Sequence, residues 1–277
     1  MGHTQSVKLT KSGCRLAAVE LISEDVKSSS DFYAWLLGAP AEGGPEAWDA
    51  GQRLTEKGIA SVRRPETEGP GAGWVPVFHV ENAAEAQFRA EAAGGGARDH
   101  SSIAGGARNY FIDAAGVWTA ITDTELSEEE LSLVGQTNVD YGSMDTASAA
   151  DFYSNVLHLE QFEIVDDPYD FRIIHDDRHI VAGIVKFGGT FAEASRPAWL
   201  VYFDVDDVDQ TLARAVEAGA RIVVPANNSN MNRYAVLRDP YGQVFGLSRY
   251  SVGGVDNVRA RTATGTVMLT DLVDIGV

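Results

Sequence analysis

Residues 197–250, PAWLVYFDVDDVDQTLARAVEAGARIVVPANNSNMNRYAVLRDPYGQVFGLSRY, admit very few local structures. An apolar strand over 200–205 runs into Asp206-Asp207, which opens a helix with Leu212, Ala215 and Val216 at helical spacing and Gly219 at its end. Three strands are expected next, over 221–224, 233–237 and 243–248. The turn Asp239-Pro240-Tyr241-Gly242 separates the last two; its proline pre-sets φ and its glycine allows φ > 0. The unit is therefore βαβββ.

The same order recurs along the chain. A strand from Leu16 meets Asp25 as N-cap, and a helix follows with Phe32, Tyr33, Leu36 and Leu37 on its apolar side, ended by Gly38. About 120 positions later a strand over 138–143 meets Asp145, with Phe152, Tyr153, Val156 and Leu157 at the same offsets. Short strands are expected within 47–64, then a glycine- and proline-rich linker over 65–73. A strand over 74–80, a helix over 83–93 closed by Gly94-Gly95-Gly96, and strands over 108–113 and 117–122 complete the first repeat. Asp113 and Gly116 correspond to Asp239 and Gly242, and the matching linker in the second repeat is 188–196.

The expected organisation is an N-terminal segment 1–14, read as mobile, a first domain 15–124, a connecting helix over 125–133, a second domain 134–250 and a tail 251–277. Ser127 followed by Glu130 is a capping-box spacing, which favours the connecting helix. The alternating run 264–272 reads as an added strand that pairs with a partner, which a homodimer would supply, or as a frayed end.

The order D-V-D-D-V, A-G-A, P, then R-x-A-V-L-x-D-P-x-G-x-x-F resembles the second half-domain of the vicinal oxygen chelate superfamily, which holds glyoxalases, bleomycin-resistance proteins and extradiol dioxygenases. It looks closest to the tandem-domain branch that often carries the label "hydroxylase". The resemblance implies an α+β fold of two tandem domains, each of paired βαβββ halves curved into a cup. Fold alone does not fix the activity.

A formal charge of −18, from 22 Lys+Arg against 40 Asp+Glu, argues against nucleic-acid backbones and anionic membranes as partners. A lone Cys14 excludes an internal disulfide and suits a reducing compartment. No signal-peptide core or membrane-length apolar run is present, so the expected location is the cytoplasm.

Metal-dependent members of the family hold a divalent ion on the cup strands, with open positions for two substrate oxygens. The resemblance implies a histidine about seven residues before each capping residue and a glutamate about four after each turn glycine, N and O donors suited to such an ion. This chain has Ala18, Asn138, Val75 and Leu200 at the first kind of position, and Ala120 and Gly246 at the second. The fourth strands of the first halves, over 58–62 and 180–185, carry no acid or histidine, so neither a metal nor another cofactor is expected.

Strand parity then identifies the cup lining, because residues two apart share a face. Glu20 and Asp140 occupy equivalent inward positions, and a carboxylate in a partly apolar cup can serve as general base or pair with a ligand. An arginine such as Arg108 or Arg233 can equally tie such an acid into the structure. His79 is a further acid–base candidate; on a strand end it is as readily a solvated edge residue. Asn138, Trp118, Tyr202, Asp204 and Ser248 are the candidate ligand contacts, with Trp118 and Tyr202 offering flat rings to a planar compound. His175 and His179 flank Asp176-Asp177 in a hairpin and read as a surface turn.

Two functions remain open. One is metal-independent binding of a small, aromatic or polycyclic organic compound, of the sequestering, self-resistance kind. The other is a metal-independent isomerase, cyclase or lyase of secondary metabolism that uses a cup carboxylate. An adaptor role has no positive feature in its favour.

Overall fold

The computed structural model describes residues 13–37, 52–53, 60–65, 69–103, 106–124, 137–165, 170–177, 179–187, 196–250 and 258–273. The N-terminal segment up to residue 12, the expected connecting helix 125–133 and most of the linker 188–196 lie outside the described residues.

The first repeat contributes β1 (Arg15–Ile22), α1 (Val26–Leu37), β2 (Gln52–Arg53), β3 (Ala60–Arg63), β4 (Gly73–His79), α2 (Ala83–Ala92), β5 (Gly96–Ile103), β6 (Gly106–Ile112) and β7 (Trp118–Thr122). These strands form one sheet in the order β2-β3-β1-β4-β7-β6-β5. The second repeat contributes β8 (Thr137–Ser143), α3 (Thr146–Leu157), β9 (Glu160–Val165), β10 (Phe171–Asp176), β11 (His179–Lys186), β12 (Ala198–Asp204), α4 (Val208–Glu217), β13 (Arg221–Asn228), β14 (Asn232–Arg238) and β15 (Val244–Tyr250). With β16 (Arg259–Thr262) and β17 (Gly265–Met268) they form a second sheet, β13-β14-β15-β12-β8-β11-β10-β9-β16-β17. The opening strand of each βαβββ unit pairs in parallel with its closing strand. Two units join through the antiparallel pairs β1–β4 and β8–β12, so the halves combine within each repeat.

The helices start where the sequence supplies an acceptor for a free N–H group. Asp25, Asn82, Asp145 and Asp207 accept the backbone N–H three residues on, at 2.9–3.0 Å. Phe32, Tyr33 and Leu36 of α1 and Tyr153, Val156 and Leu157 of α3 are buried in a core shared by the helix-facing sides of both sheets.

The two turn aspartates fasten the sheets to each other. Asp239 Oδ1 accepts the N–H groups of Tyr241 and Gln243 across its own turn, and Oδ2 accepts the Tyr33 hydroxyl at 2.9 Å. Asp113 repeats the pattern with Ala115 and Val117, and its Oδ2 accepts the hydroxyls of Tyr153, at 3.1 Å, and Tyr141. Gly116 and Gly242 have φ of 83° and 98°, as these turns require. Burial pushes the Asp239 carboxyl up, and burial beside Asp239 pushes the Tyr33 phenol up.

Three sequence expectations change. The polar segment after Gly94-Gly95-Gly96 forms β5, a strand without the alternation that marks the others. The tail pairs within its own chain: β16 lies against β9, with Ala260 opposite Ile164, and β17 folds back on β16. That pairing takes up the otherwise open edge of β9, and a short helix α5 (Leu269–Leu272) packs Leu269 beside Phe162, Ile164 and Ile173. The 175–179 hairpin is also less exposed than a surface turn. His175 and Asp176 are buried, and Asp176 binds Arg15 at 2.6 Å, a partner from the other sheet that hairpin patterning could not reveal.

Candidate functional site

On the face of each sheet away from the helices, the two repeats build different surfaces. In the first, Ala18, Ile22, Val75, Val77, Tyr110 and Ala120 form a compact apolar cluster with Trp118 at its margin. Glu20 lies among them, 2% exposed, and its carboxylate is fully engaged. Arg108 Nε donates to Oε1 at 2.7 Å, while Arg63 Nε and the Tyr110 hydroxyl each donate to Oε2 at 3.3 Å. Arg63 Nη2 also donates to the Tyr110 hydroxyl at 2.8 Å. A buried acid thus sits between two guanidinium groups, the arrangement that makes a buried charge tolerable.

Register between strands gives the equivalent positions in the second sheet. Glu20 faces Ser61 and Val75 just as Asp140 faces Gly183 and Leu200. Two residues along the parallel partner, Arg63 corresponds to Val185. Across the other half, Tyr110 pairs with Ala120 as Val236 pairs with Gly246, so Arg108 corresponds to Tyr234 and Tyr110 to Val236. All three groups that hold Glu20 are therefore replaced around Asp140, two of them by aliphatic side chains.

In their place the second sheet has a cleft. Its cavity volume is about 100 Å³, and about 750 Å³ of space is empty when the open mouth is counted. Asn138, Asp140, Tyr202 and Ser248 line it, as parity predicts, together with Tyr234 and Tyr250. Val185, Ile164 and Phe171 supply an apolar wall, and the loop over 229–232 closes one side with Met231. Met231, Phe171 and Ile164 also pack against the cluster formed with the tail, so β16 and α5 brace this side of the cleft. The Ser248 Oγ is buried with no hydrogen-bond partner, a polar atom without an internal use. Burial and the nearby Asp140 carboxylate push the Tyr202 and Tyr250 phenols up, so both remain neutral donors at physiological pH.

Glycines make this surface possible. A Cβ on Gly183 would lie 2.2 Å from Asp140 Oδ1, and one on Gly246 would lie 2.0 Å from Tyr202 Cδ1. The Tyr202 ring thus occupies the space that a side chain at 246 would need.

The other candidates lie elsewhere. Trp118 belongs to the first sheet, its ring 6.0 Å from that of Tyr110. Asp204 pairs with Arg249 at 3.1 Å, outside the residues that line the cleft. His79 sits opposite Arg15, and its Nδ1 lies 3.0 Å from the Gly13 carbonyl oxygen. Val75, four residues before it, is the residue opposite Glu20, so the strand register separates His79 from that carboxylate. Of the two arginines considered as partners of the cup acids, Arg108 binds Glu20, whereas Arg233 binds Asp209 at 2.6 Å.

The side chains at the positions where the resemblance implies metal ligands do not fit a divalent ion. Ala18, Val75 and Ala120 are buried apolar residues of the first cluster and Leu200 of the second, and no ligating side chain has room at 246. Among the described residues no three His, Cys, Asp or Glu side chains are grouped to hold a metal.

Parity did not find Arg63, because the strand expected over 58–62 stops one residue short of it. Tyr250 and the 229–232 wall were missed for a related reason: the last strand runs two residues further than its apolar pattern, and the Asn/Ser-rich loop has no periodicity.

The Glyoxalase/Bleomycin resistance protein/Dioxygenase superfamily model matches residues 136–247. The anthracycline biosynthesis protein DnrV of Streptomyces peucetius is 30% identical over 258 residues, spanning 82% of this chain and 90% of that protein. The chain belongs to the glyoxalase/bleomycin resistance protein/dioxygenase superfamily. A putative glyoxylase, CFP32 of Mycobacterium bovis, is 26% identical over 219 residues, 76% of this chain and 72% of that one. Among solved structures, the halotolerant catechol dioxygenase BphC superposes with a TM-score of 0.56 at 15% identity, covering 84% of this chain and 86% of its own. A Mn(II)-bound glyoxalase from Novosphingobium aromaticivorans gives 0.56 at 16% identity, covering 84% and 81%. These two likenesses concern the fold.

Proposed function

We propose that the chain is a metal-independent binding protein of secondary metabolism, and that it holds a small aromatic or polycyclic compound in the cleft of its second sheet. The observation that carries this reading is the divergence of the two cups: the first closes over a carboxylate bound by Arg63, Arg108 and Tyr110, while the second has Val185, Tyr234 and Val236 at those positions and a cleft beside Asp140. Each chain then binds one ligand. On this reading the first domain, 15–124, serves as a scaffold, and the second, 134–250, holds the ligand in a sheet that the tail strands β16 and β17 extend. Apolar and aromatic walls with a few polar groups suit a planar organic ligand, and the similarity to a protein named for anthracycline biosynthesis favours a polycyclic one. Metal independence rests on the unsuitable side chains at the family's ligand positions. A chain whose lone cysteine is Cys14 suits the reducing cytoplasm, where it would sequester the compound.

That biosynthetic name also favours a second reading, in which Asp140 acts as general acid or base on the bound compound, with Tyr202 and Tyr250 as neutral hydrogen-bond donors. The deciding experiment incubates the protein with the neutral tricycle 1,8-dihydroxyanthraquinone and with extracts of a producing strain, then analyses the recovered compounds by mass spectrometry. Sequestration predicts unaltered compounds, with binding weakened by Met231→Ala and unaffected by Trp118→Ala. Time-dependent conversion that Asp140→Asn abolishes while binding persists would establish the enzyme instead. Absence of binding by either route would refute both.

A further inference from the structure

The second cleft contains a hydroxyl with nothing inside the protein to bond. Ser248 lines the cleft and is 0% exposed, and its Oγ has no hydrogen-bond partner. Burying such a group unpaired costs free energy, and folded proteins rarely leave one so. Among the described residues it is the one buried, unpaired side-chain polar atom that lines this cleft. The first sheet shows what the same position does where the cup is closed. Ser248 stands opposite Asp204, two residues beyond the Tyr202–Gly246 pair, as Thr122 stands opposite His79, two beyond the Val77–Ala120 pair. Thr122 Oγ1 accepts the N–H group of Thr124 at 3.2 Å, so the equivalent hydroxyl is used by its own chain.

Neighbouring positions change in the same direction. Asn138 pairs with Tyr202 where Ala18 pairs with Val77, so an amide and a phenol replace two apolar side chains of the closed cup. Burial pushes the Tyr202 and Tyr250 phenols up, and both keep their hydrogens at neutral pH. The lining thus holds four uncharged groups able to donate: Ser248, Asn138, Tyr202 and Tyr250. A carbonyl oxygen has two lone pairs and no hydrogen of its own, so it can accept from Ser248 and from one neighbour at once. The apolar wall of Val185, Ile164 and Phe171 is left for the rings.

We propose that the second cleft selects planar aromatic ketones, with a ring carbonyl oxygen accepting the hydrogen of the Ser248 hydroxyl. This rests on the reading of the cleft as a binding site for planar organic compounds and adds the group that it recognises.

The test is equilibrium dialysis of the full-length protein at pH 7 against three tricyclic probes: 9-fluorenone, its hydrocarbon parent fluorene, and 9-fluorenol. Apolar burial alone favours the hydrocarbon, which gives up no hydrogen bond to water on binding. Fluorenone is instead expected to bind about tenfold more tightly than fluorene, as when a buried donor gains its missing partner, with fluorenol between them. Ser248→Ala should remove most of that preference. Because it deletes an unpaired hydroxyl, it should also leave the urea unfolding midpoint of the ligand-free protein level or raised. The comparison within the unmodified protein stands even where the variant fails to fold. Fluorene or fluorenol binding as tightly as fluorenone, or a preference that survives Ser248→Ala in a folded protein, would overturn the ketone inference while leaving the cleft reading intact. A midpoint lowered by Ser248→Ala would overturn it too, since the hydroxyl would then be bonded within the protein. Failure of all three probes to bind would refute the cleft reading and the inference with it.

Discussion

Replacing Glu20 by Gln tests whether the first cup is a structural lock. Glu20 and Arg63 are 2% and 4% exposed, so the substitution removes one member of a buried ion pair and leaves its partner in place. Breaking such a pair costs about 3–5 kcal/mol in general. Two features place this case near the lower end. The Arg63 contact is long, at 3.3 Å, and the Arg108 side chain is 19% exposed, so water reaches that guanidinium. The glutamine also keeps one oxygen as acceptor, and the expected loss is about 3 kcal/mol. With a urea m-value on the order of 3 kcal/mol/M, the unfolding midpoint falls by about 1 M, read by far-UV circular dichroism. Planar-probe binding in the second cleft should be unchanged under native conditions. A loss below about 1 kcal/mol at unchanged m would be the behaviour of a solvated pair. It would refute the lock and return Glu20 to the list of candidate ligand contacts.

Further consequences concern packing and charge. Gly246→Ala should cost about 2 kcal/mol or more, because the added Cβ meets the Tyr202 ring, and the cost should disappear in a Tyr202→Ala background; additive urea midpoints for the pair would contradict the contact. The N–H group of Ser148, with its hydroxyl, holds the Asp145 carboxyl below its usual 3.8, so the charge at this cap stabilises the fold above pH 3.8 and the contribution is lost as pH falls through the lower folded value. Asp145→Asn should therefore lower the urea midpoint at pH 7 and match the unmodified protein once Asp145 is protonated; a difference that persists there would show that the cap charge is not its source. Tyr33→Phe removes the hydroxyl bonded to Asp239 across the two sheets and should cost about 1–2 kcal/mol in the same assay, whereas no loss would mean that the contact does not fasten them.

The periodic parts of this fold were legible in the sequence, and the reasons are local. Asp25, Asp145 and Asp207 each precede an apolar helix pattern, and the cap geometry follows from that spacing. Parity placed Asn138, Asp140, Tyr202 and Ser248 in one cleft because side-chain alternation survives sheet curvature. What sequence could not supply was the identity of partners distant along the chain. Glu20 and Asp140 look alike in the linear pattern; they differ because Arg63 and Arg108 arrive from other strands in one case, and Val185 and Tyr234 in the other. The tail shows the same limit: of the run 264–272 expected as one strand, 265–268 is strand and 269–272 is helix, and the strand that pairs with β9 is β16, outside that run.

The most direct measurement of the central claim is the stoichiometry of 1,8-dihydroxyanthraquinone binding by calorimetry, made before and after dialysis against EDTA. One ligand per chain, with the same affinity in both conditions and a loss of affinity on Met231→Ala, is the expected result. Two ligands per chain, or binding that EDTA abolishes and a divalent ion restores, would contradict a single metal-independent cleft in the second sheet.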